Sequence, residues 1–168
     1  MNATLTLSDG TAVTVRPIRP DDAETEREFI AGLSEESRYL RLMGHVKELS
    51  EETLRRLTEI NPDRETALIA LMDGPDGKRQ IGAARYVIAE DGKSCEFAIV
   101  VSDAWHGMGL GTALMTELIR DARDRGLTEM MGTTLPENVK MKALSGTLGF
   151  EIGPDPDDPH VVRMRLPL

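Results

Sequence analysis

The 168-residue chain carries 29 Asp and Glu against 20 Lys and Arg, a formal charge of −9, with 40% hydrophobic residues and a single cysteine, Cys95. So acidic a surface repels polyanions and excludes nucleic acid as a partner, while a basic partner is attracted and a small anion can still be held by a few local N–H groups. One cysteine excludes an internal disulfide and a cysteine-rich metal site, no apolar run is long enough to cross a bilayer, and the opening MNATLTLSDG lacks the blocks of a secretory signal.

We therefore expect a cytoplasmic protein without metal or membrane contact, folded as one domain over 1–168 that buries about 70% of its unfolded surface. TAVTVRPI (11–18) alternates Val13, Val15 and Ile18 with polar residues and predicts a strand. DDAETEREFIAGL (21–33) predicts a helix, with Asp21 or Asp22 as N-cap and Phe29, Ile30 and Leu33 facing inward. A short helix follows over 34–43, and another over 50–60 places Leu54, Leu57 and Ile60 at helical spacing before Asn61-Pro62 stops it. The apolar runs 66–73, 79–90 and 93–102, separated by GPDGK and EDGK, predict an antiparallel meander.

From Leu110 the period becomes helical, with Leu110, Ala113, Leu114, Leu118, Ile119 and Ala122 on one face up to Gly126. A strand is expected over 128–135 and a helix over 136–149 with Pro136 at its opening. FEIG and VVRMRL then form a last hairpin across PDPDDPH. His45 and His160 read as surface or loop residues, and Met130, Met131, Met141 and Met164 as core or pocket lining.

WHGMGLGTAL (105–114) sets three glycines, Gly107, Gly109 and Gly111, at the opening of that long helix. A helix N-terminus offers unpaired N–H donors and partial positive charge, and bare glycines let a phosphate approach them. A Walker loop is excluded because no lysine precedes Thr112, and a Rossmann fingerprint would open the fold rather than follow a meander. A tight strand-to-helix turn with no ligand is the competing reading.

His106-Gly107-Met108-Gly109-Leu110-Gly111 resembles the Gln/Arg-x-x-Gly-x-Gly/Ala loop of the GNAT acyl-CoA-dependent N-acyltransferases, with His106 in place of Gln or Arg. The segments VRPIRPDD (15–22), FIAGLSEESRYLRL (29–42), EFAIVVSDAWHGMGLGTALM (96–115) and NVKMKALSGTLGF (138–150) resemble the acetyltransferase domain of Pat-type protein lysine acetyltransferases, here as the catalytic unit alone. The resemblance implies an α/β fold: a mixed, mostly antiparallel twisted sheet of six to seven strands, splayed between the fourth (93–102) and fifth (128–135) and flanked by helices. It implies acetyl-CoA as co-substrate and a primary amine, protein lysine or small molecule, as acceptor; a homodimer is compatible with it. The loop from His106 through Thr112 would hold the CoA pyrophosphate, and Ile99, Val100, Val101 and Asn138 the pantetheine arm. Asn138 reads equally well as a helix cap.

Along SCEFAIVVS, Glu96, Ala98 and Val100 point to one face and Cys95, Phe97, Ile99 and Val101 to the other. An ionised carboxylate on an apolar face costs several kcal/mol, about as much as a core truncation, unless it meets water or a partner, so Glu96 should border a cleft. Six residues at about 3.3 Å place it on the order of 20 Å from Ser102 and the glycine loop. By the resemblance Glu96 is the general base, its basicity raised by apolar neighbours; otherwise it is a sheet-edge residue or is paired with Arg85. Val100 is assigned as the main-chain N–H donor to the developing oxyanion. The position where the family carries a tyrosine acid holds Ser145, so the thiolate leaves unassisted or takes a proton from water or Ser145. Cys95 reads as core. A non-catalytic acyl-CoA sensor and a plain interaction domain are the rival functions.

Overall fold

Alternation along the apolar runs dictates a sheet with two covered faces, and the computed structural model, which describes residues 2–42 and 49–168, shows one eight-stranded sheet in the order β1-β2-β3-β4-β5-β6-β8-β7. The strands are β1 (Ala3–Thr6), β2 (Ala12–Pro17), β3 (Glu65–Gly74), β4 (Gly77–Ile88), β5 (Ser94–Val101), β6 (Glu129–Thr134), β7 (Glu151–Pro154) and β8 (Val162–Pro167). The helices are α1 (Ala23–Ala31), α2 (Glu35–Leu42), α3 (Glu51–Thr58), α4 (Leu110–Asp124) and α5 (Val139–Thr147). The six to seven strands expected become eight because Leu5 and Leu7 continue the period-two pattern back from a turn at Ser8-Asp9-Gly10, where Gly10 sits at φ +91°. His45 and the end of the helix expected over 34–43 lie outside the described residues.

The two faces bury separate cores. Leu110, Leu114, Met115, Leu118 and Ile119 of α4 pack on Tyr86, Cys95, Phe97 and Ile99, while Phe29 and Ile30 of α1, with Leu33 just after it, pack on Ile69, Ala83 and Val100. Both sets of strand residues follow from alternation along β3, β4 and β5, so each helix layer finds an apolar surface ready to cover. Asp22 occupies the N-cap position of α1 without capping it. Its carboxylate instead accepts from Arg16 Nη1 and Nη2 at 2.8 and 2.7 Å and from the Arg19 N–H at 2.7 Å, tying the helix start to β2. Ser50 does cap α3, accepting from the Thr53 N–H at 3.1 Å.

All neighbouring strands are antiparallel except β5 and β6, which pair in parallel only over Ser94, Cys95 and Glu96 opposite Glu129, Met130 and Met131. Beyond that point the strands part, between the strands expected to splay. Where pairing stops, the Phe97 ring lies over Gly132 so closely that a Cβ there would sit 2.5 Å from Cε1. Phe97 in turn leans on Phe150 with ring centroids 5.1 Å apart. Among the described residues no helix is long and apolar enough to cross a membrane.

Candidate active site

The parting of β5 and β6 opens a cleft of about 870 Å³, within the size range of small-molecule sites. It runs from the glycine loop and the start of α4, along β5 from Val101 back to Glu96, with Thr133 and Thr134 of β6 and Met141, Ala143 and Leu144 of α5 forming the other wall. Glu96, Ile99, Val100, Val101, His106, Gly107, Gly109, Leu110, Gly111, Thr112 and Asn138, singled out from the sequence, all border this one cavity.

The glycines have two different physical origins. Gly107 and Gly109 sit at φ +76° and +88°, where a side chain is strained, and a Cβ on either would meet nothing within 4 Å. Gly111 has ordinary helical backbone, and its bareness is filled from inside the protein: a Cβ would lie 3.2 Å from Leu144 Cδ2 on α5. Gly109 serves as N-cap without any side-chain hydrogen bond, and the first helical bond runs from the Ala113 N–H to the Gly109 carbonyl at 3.0 Å. The N–H groups of Leu110, Gly111 and Thr112 therefore lack intrahelical acceptors and open toward the cleft. Met108 does not share in this. Its side chain packs toward the α4 core, and its carbonyl accepts from the Ser8 N–H at 3.4 Å, outside the cleft lining.

His106 stands between two elements. Its Nε2 lies 2.8 Å from the Val101 carbonyl and its Nδ1 2.8 Å from Lys140 Nζ, in the first turn of α5. Trp105 and Asp103 complete this end. Burial would raise the Asp103 carboxyl, but hydrogen bonds from the Ser37 hydroxyl and the Ser34 N–H and hydroxyl, with the nearby His106, hold it below the usual carboxylate range. Those bonds pin the start of α2 beside the loop.

On β5 the direction of the main chain decides which groups are free. Ser102 N–H donates to the Ile81 carbonyl and Ala89 N–H to the Ser94 carbonyl, both at 2.9 Å, so the even-numbered residues of β5 turn their N–H and C=O toward β4. Val100, opposite Ala83, is one of them, and its side chain is buried beneath α1. This corrects its assignment as an oxyanion donor: the main-chain groups on the open edge belong to Ile99 and Val101, and the Val101 carbonyl is already held by His106.

Glu96 is exposed and borders the cleft on the same sheet face as α1 and α3, and its side chain makes no hydrogen bond among the described residues. The ion pair with Arg85 does not form. Arg85 Nη2 donates to the Leu57 carbonyl at 3.0 Å, and burial beneath α3 lowers its affinity for the proton. Ser145 is corrected as well: it is 2% exposed, its hydroxyl donates to Met164 Sδ at 2.9 Å, and Met164 rather than Ser145 faces the cleft. Asn138 caps α5, accepting from the Met141 N–H at 3.1 Å and donating to Thr134 Oγ1 at 3.0 Å, while bordering the cleft. It replaces Pro136 as the helix start, because Pro136 and Glu137 form a turn closed by the Asn138 N–H on the Leu135 carbonyl. Cys95 is buried, and burial, aided by the charge of Asp121, pushes its thiol up to about 12. Among the described residues no group of three or more His, Cys, Asp or Glu side chains is placed to hold a metal ion.

Trp105, Asp103, Lys140, Thr133, Thr134, Glu36 and Ser37 border the cleft without having been singled out from the sequence.

Comparison with known proteins agrees with this architecture. The model of the acetyltransferase (GNAT) family matches residues 29–150. Acetyltransferase PA5475 of Pseudomonas aeruginosa is 37% identical over 162 residues, covering 96% of this chain and 87% of that protein. The crystal structure of the GNAT domain of S. lividans PAT superposes with a TM-score of 0.91 at 30% identity, covering 99% of this chain and 97% of that one. The fold is also shared with yncA of Salmonella typhimurium, solved with its cofactor acetyl-CoA, at a TM-score of 0.69 and 20% identity over 93% and 94% of the two chains. A cleft between parting strands, closed at one end by an uncapped helix on a glycine loop, thus comes with a family match over most of the sequence, and the chain belongs to the GNAT family of N-acetyltransferases.

Proposed function

We propose that the protein transfers acetyl directly from acetyl-CoA to a primary amine, a protein lysine or a small-molecule amine, with Glu96 as general base. One observation carries the reading: a single cleft joins the uncapped start of α4 to Glu96 along the open edge of β5. The N–H groups of Leu110, Gly111 and Thr112, reached past Gly107 and Gly109, suit a diphosphate, because donors are present and no side chain obstructs them. The pantetheine amides would then lie along the groups that Ile99 and Val101 present where β6 has parted.

An alkylammonium of pKa about 10.4 is almost wholly protonated at neutral pH and cannot attack a thioester until it loses a proton. Glu96, exposed to the cleft and engaged by no described partner, can take that proton directly or through one water. The free amine then bonds to the thioester carbonyl carbon, the C–S bond breaks, and the nitrogen gives up its second proton to water at the open cleft, which in turn protonates the departing thiolate. With Ser145 behind Met164, no side-chain acid is assigned to that last step. The Pat-type resemblance favours protein lysine among acceptors, and the charge of −9 favours a cationic one.

The absence of an assigned acid also supports a second reading, an acyl-CoA sensor with little chemistry. Calorimetric titration with CoA, followed by thiol release from acetyl-CoA over a panel of amines and lysine peptides, decides between them. Binding with turnover on at least one amine is expected. Binding without turnover on any of them favours the sensor, and no binding of CoA removes both readings.

A further inference from the structure

The contacts of His106 fix its chemical state. A carbonyl oxygen only accepts hydrogen bonds, so Nε2, at 2.8 Å from the Val101 carbonyl, must carry the proton. An ammonium only donates, so Nδ1, at 2.8 Å from Lys140 Nζ, must present its lone pair. Both bonds coexist only for the neutral Nε2–H tautomer. The imidazole is thereby a strut from the end of β5 to the first turn of α5, with Lys140 at its far end.

Lys140 is held where the local field opposes it. A cation in the first turn of a helix meets the positive end of the macrodipole, and that turn of α5 contains no acidic residue to offset it. Two helix starts, those of α4 and α5, thus converge on one end of the cleft together with an ammonium group. Among the described lining residues Lys140 is the one ammonium or guanidinium, against the carboxylates of Glu36, Glu96, Asp103 and Glu137. In a chain of net charge −9, a polyanionic nucleotide is repelled by most of what it meets. The groups that could hold it, the unpaired N–H donors at the start of α4 and the Lys140 ammonium, meet beside the glycine loop.

We propose that Lys140 is the counter-charge to a phosphate group of CoA, and that His106 is a positioning residue that holds its ammonium beside the loop until the phosphate takes it over. This inference rests on the acetyl-CoA reading above.

The experiment is a calorimetric titration of the full chain with CoA and with pantetheine, which carries no phosphate. It compares wild type with Lys140→Met, Lys140→Arg, His106→Ala and the double variant. Lys140→Met should weaken CoA about three- to fivefold at low salt, the scale of one ion pair at an exposed site, and leave the pantetheine affinity unchanged. The gap between wild type and Lys140→Met for CoA should narrow as NaCl is raised, because salt screens an exposed pair. Lys140→Arg should restore most of the affinity. His106→Ala should weaken CoA in the presence of Lys140 and add little to Lys140→Met, the coupling of one unit. In ¹⁵N spectra His106 should appear as the Nε2–H tautomer, with its Nδ1 resonance moving when CoA binds. CoA affinity unchanged in Lys140→Met, an equal loss for pantetheine, or additive His106 and Lys140 effects would overturn the proposal. Failure of wild type to bind CoA at all would instead remove the acetyl-CoA reading on which it rests.

Discussion

Alanine at Gly132 places a methyl group 2.5, 2.8 and 2.9 Å from three ring carbons of Phe97. Ordinary carbon contacts lie near 3.5 to 4.0 Å, so the ring must retreat by about 1 Å. It has little room, being 5% exposed and backed by Phe150. Overpacking of this kind costs about 1–3 kcal/mol, from which about 0.5–1 kcal/mol returns because alanine surrenders less backbone freedom than glycine in a strand. With the ring forced to move by about 1 Å the cost falls in the upper half of that range, and the net loss of about 1–2.5 kcal/mol lowers Tm by about 2–10 °C. Thermal unfolding followed by circular dichroism measures it, with Gly153→Ala as control, since a Cβ there meets nothing within 4 Å. Because Phe97 also borders the cleft at the point where β5 and β6 part, the same variant should weaken CoA binding while Gly153→Ala does not. A Gly132→Ala protein as stable as the control would show that the ring does not hold that junction.

Asp22→Asn should remove the bidentate bond to Arg16 at a site only 6% exposed and lower stability by about 3 kcal/mol near neutral pH. Burial pulls the Asp22 carboxyl upward, but the hydrogen bonds from Arg16 and the Arg19 N–H outweigh it and leave its pKa lowered. A lowered folded-state pKa means that this stabilisation is complete above the unfolded value near 3.8 and is lost as the pH falls through the folded one. The wild-type Tm should therefore fall more steeply than that of Asp22→Asn on acidification below about pH 4, and parallel profiles would contradict the assignment. Ser145→Ala should keep kcat within about threefold of wild type and cost about 1 kcal/mol of stability, since it deletes one buried hydroxyl bonded to a sulfur. A loss of kcat by two orders of magnitude would return Ser145 to the chemistry.

The sequence makes legible what depends on local backbone chemistry. Gly107 and Gly109 mark a turn at positive φ, Leu110 onward shows a helical period, and the alternation in SCEFAIVVS puts Glu96 and Phe97 on opposite faces, as the structure has them. What escapes it is set by partners. Side-chain alternation tells which face Val100 covers but not which edge its N–H faces, because that parity is fixed by the pairing of Ser102 with Ile81 and of Ala89 with Ser94. Ser145 occupies the helix position expected from the family, yet a short hydroxyl does not span the wall that Met164 builds, and it bonds to that sulfur instead. Gly111 looks like its two neighbours in the loop, and only the approach of Leu144 from a distant helix shows that its space is filled from within. Lys140 acquires meaning only when α5 brings it to His106, which lies 34 residues away in the chain.

Steady-state and single-turnover kinetics of Glu96→Gln, with acetyl-CoA and the best amine found in the panel, bear most directly on the central claim. The amide keeps the size of the side chain and cannot accept the ammonium proton. Affinity for CoA should stay within about twofold of wild type, while kcat falls roughly 100-fold or more and the turnover regains part of its rate as rising pH supplies free amine. Wild-type turnover in Glu96→Gln, or a loss that appears entirely in CoA binding, would contradict a base at the far end of the cleft from the glycine loop.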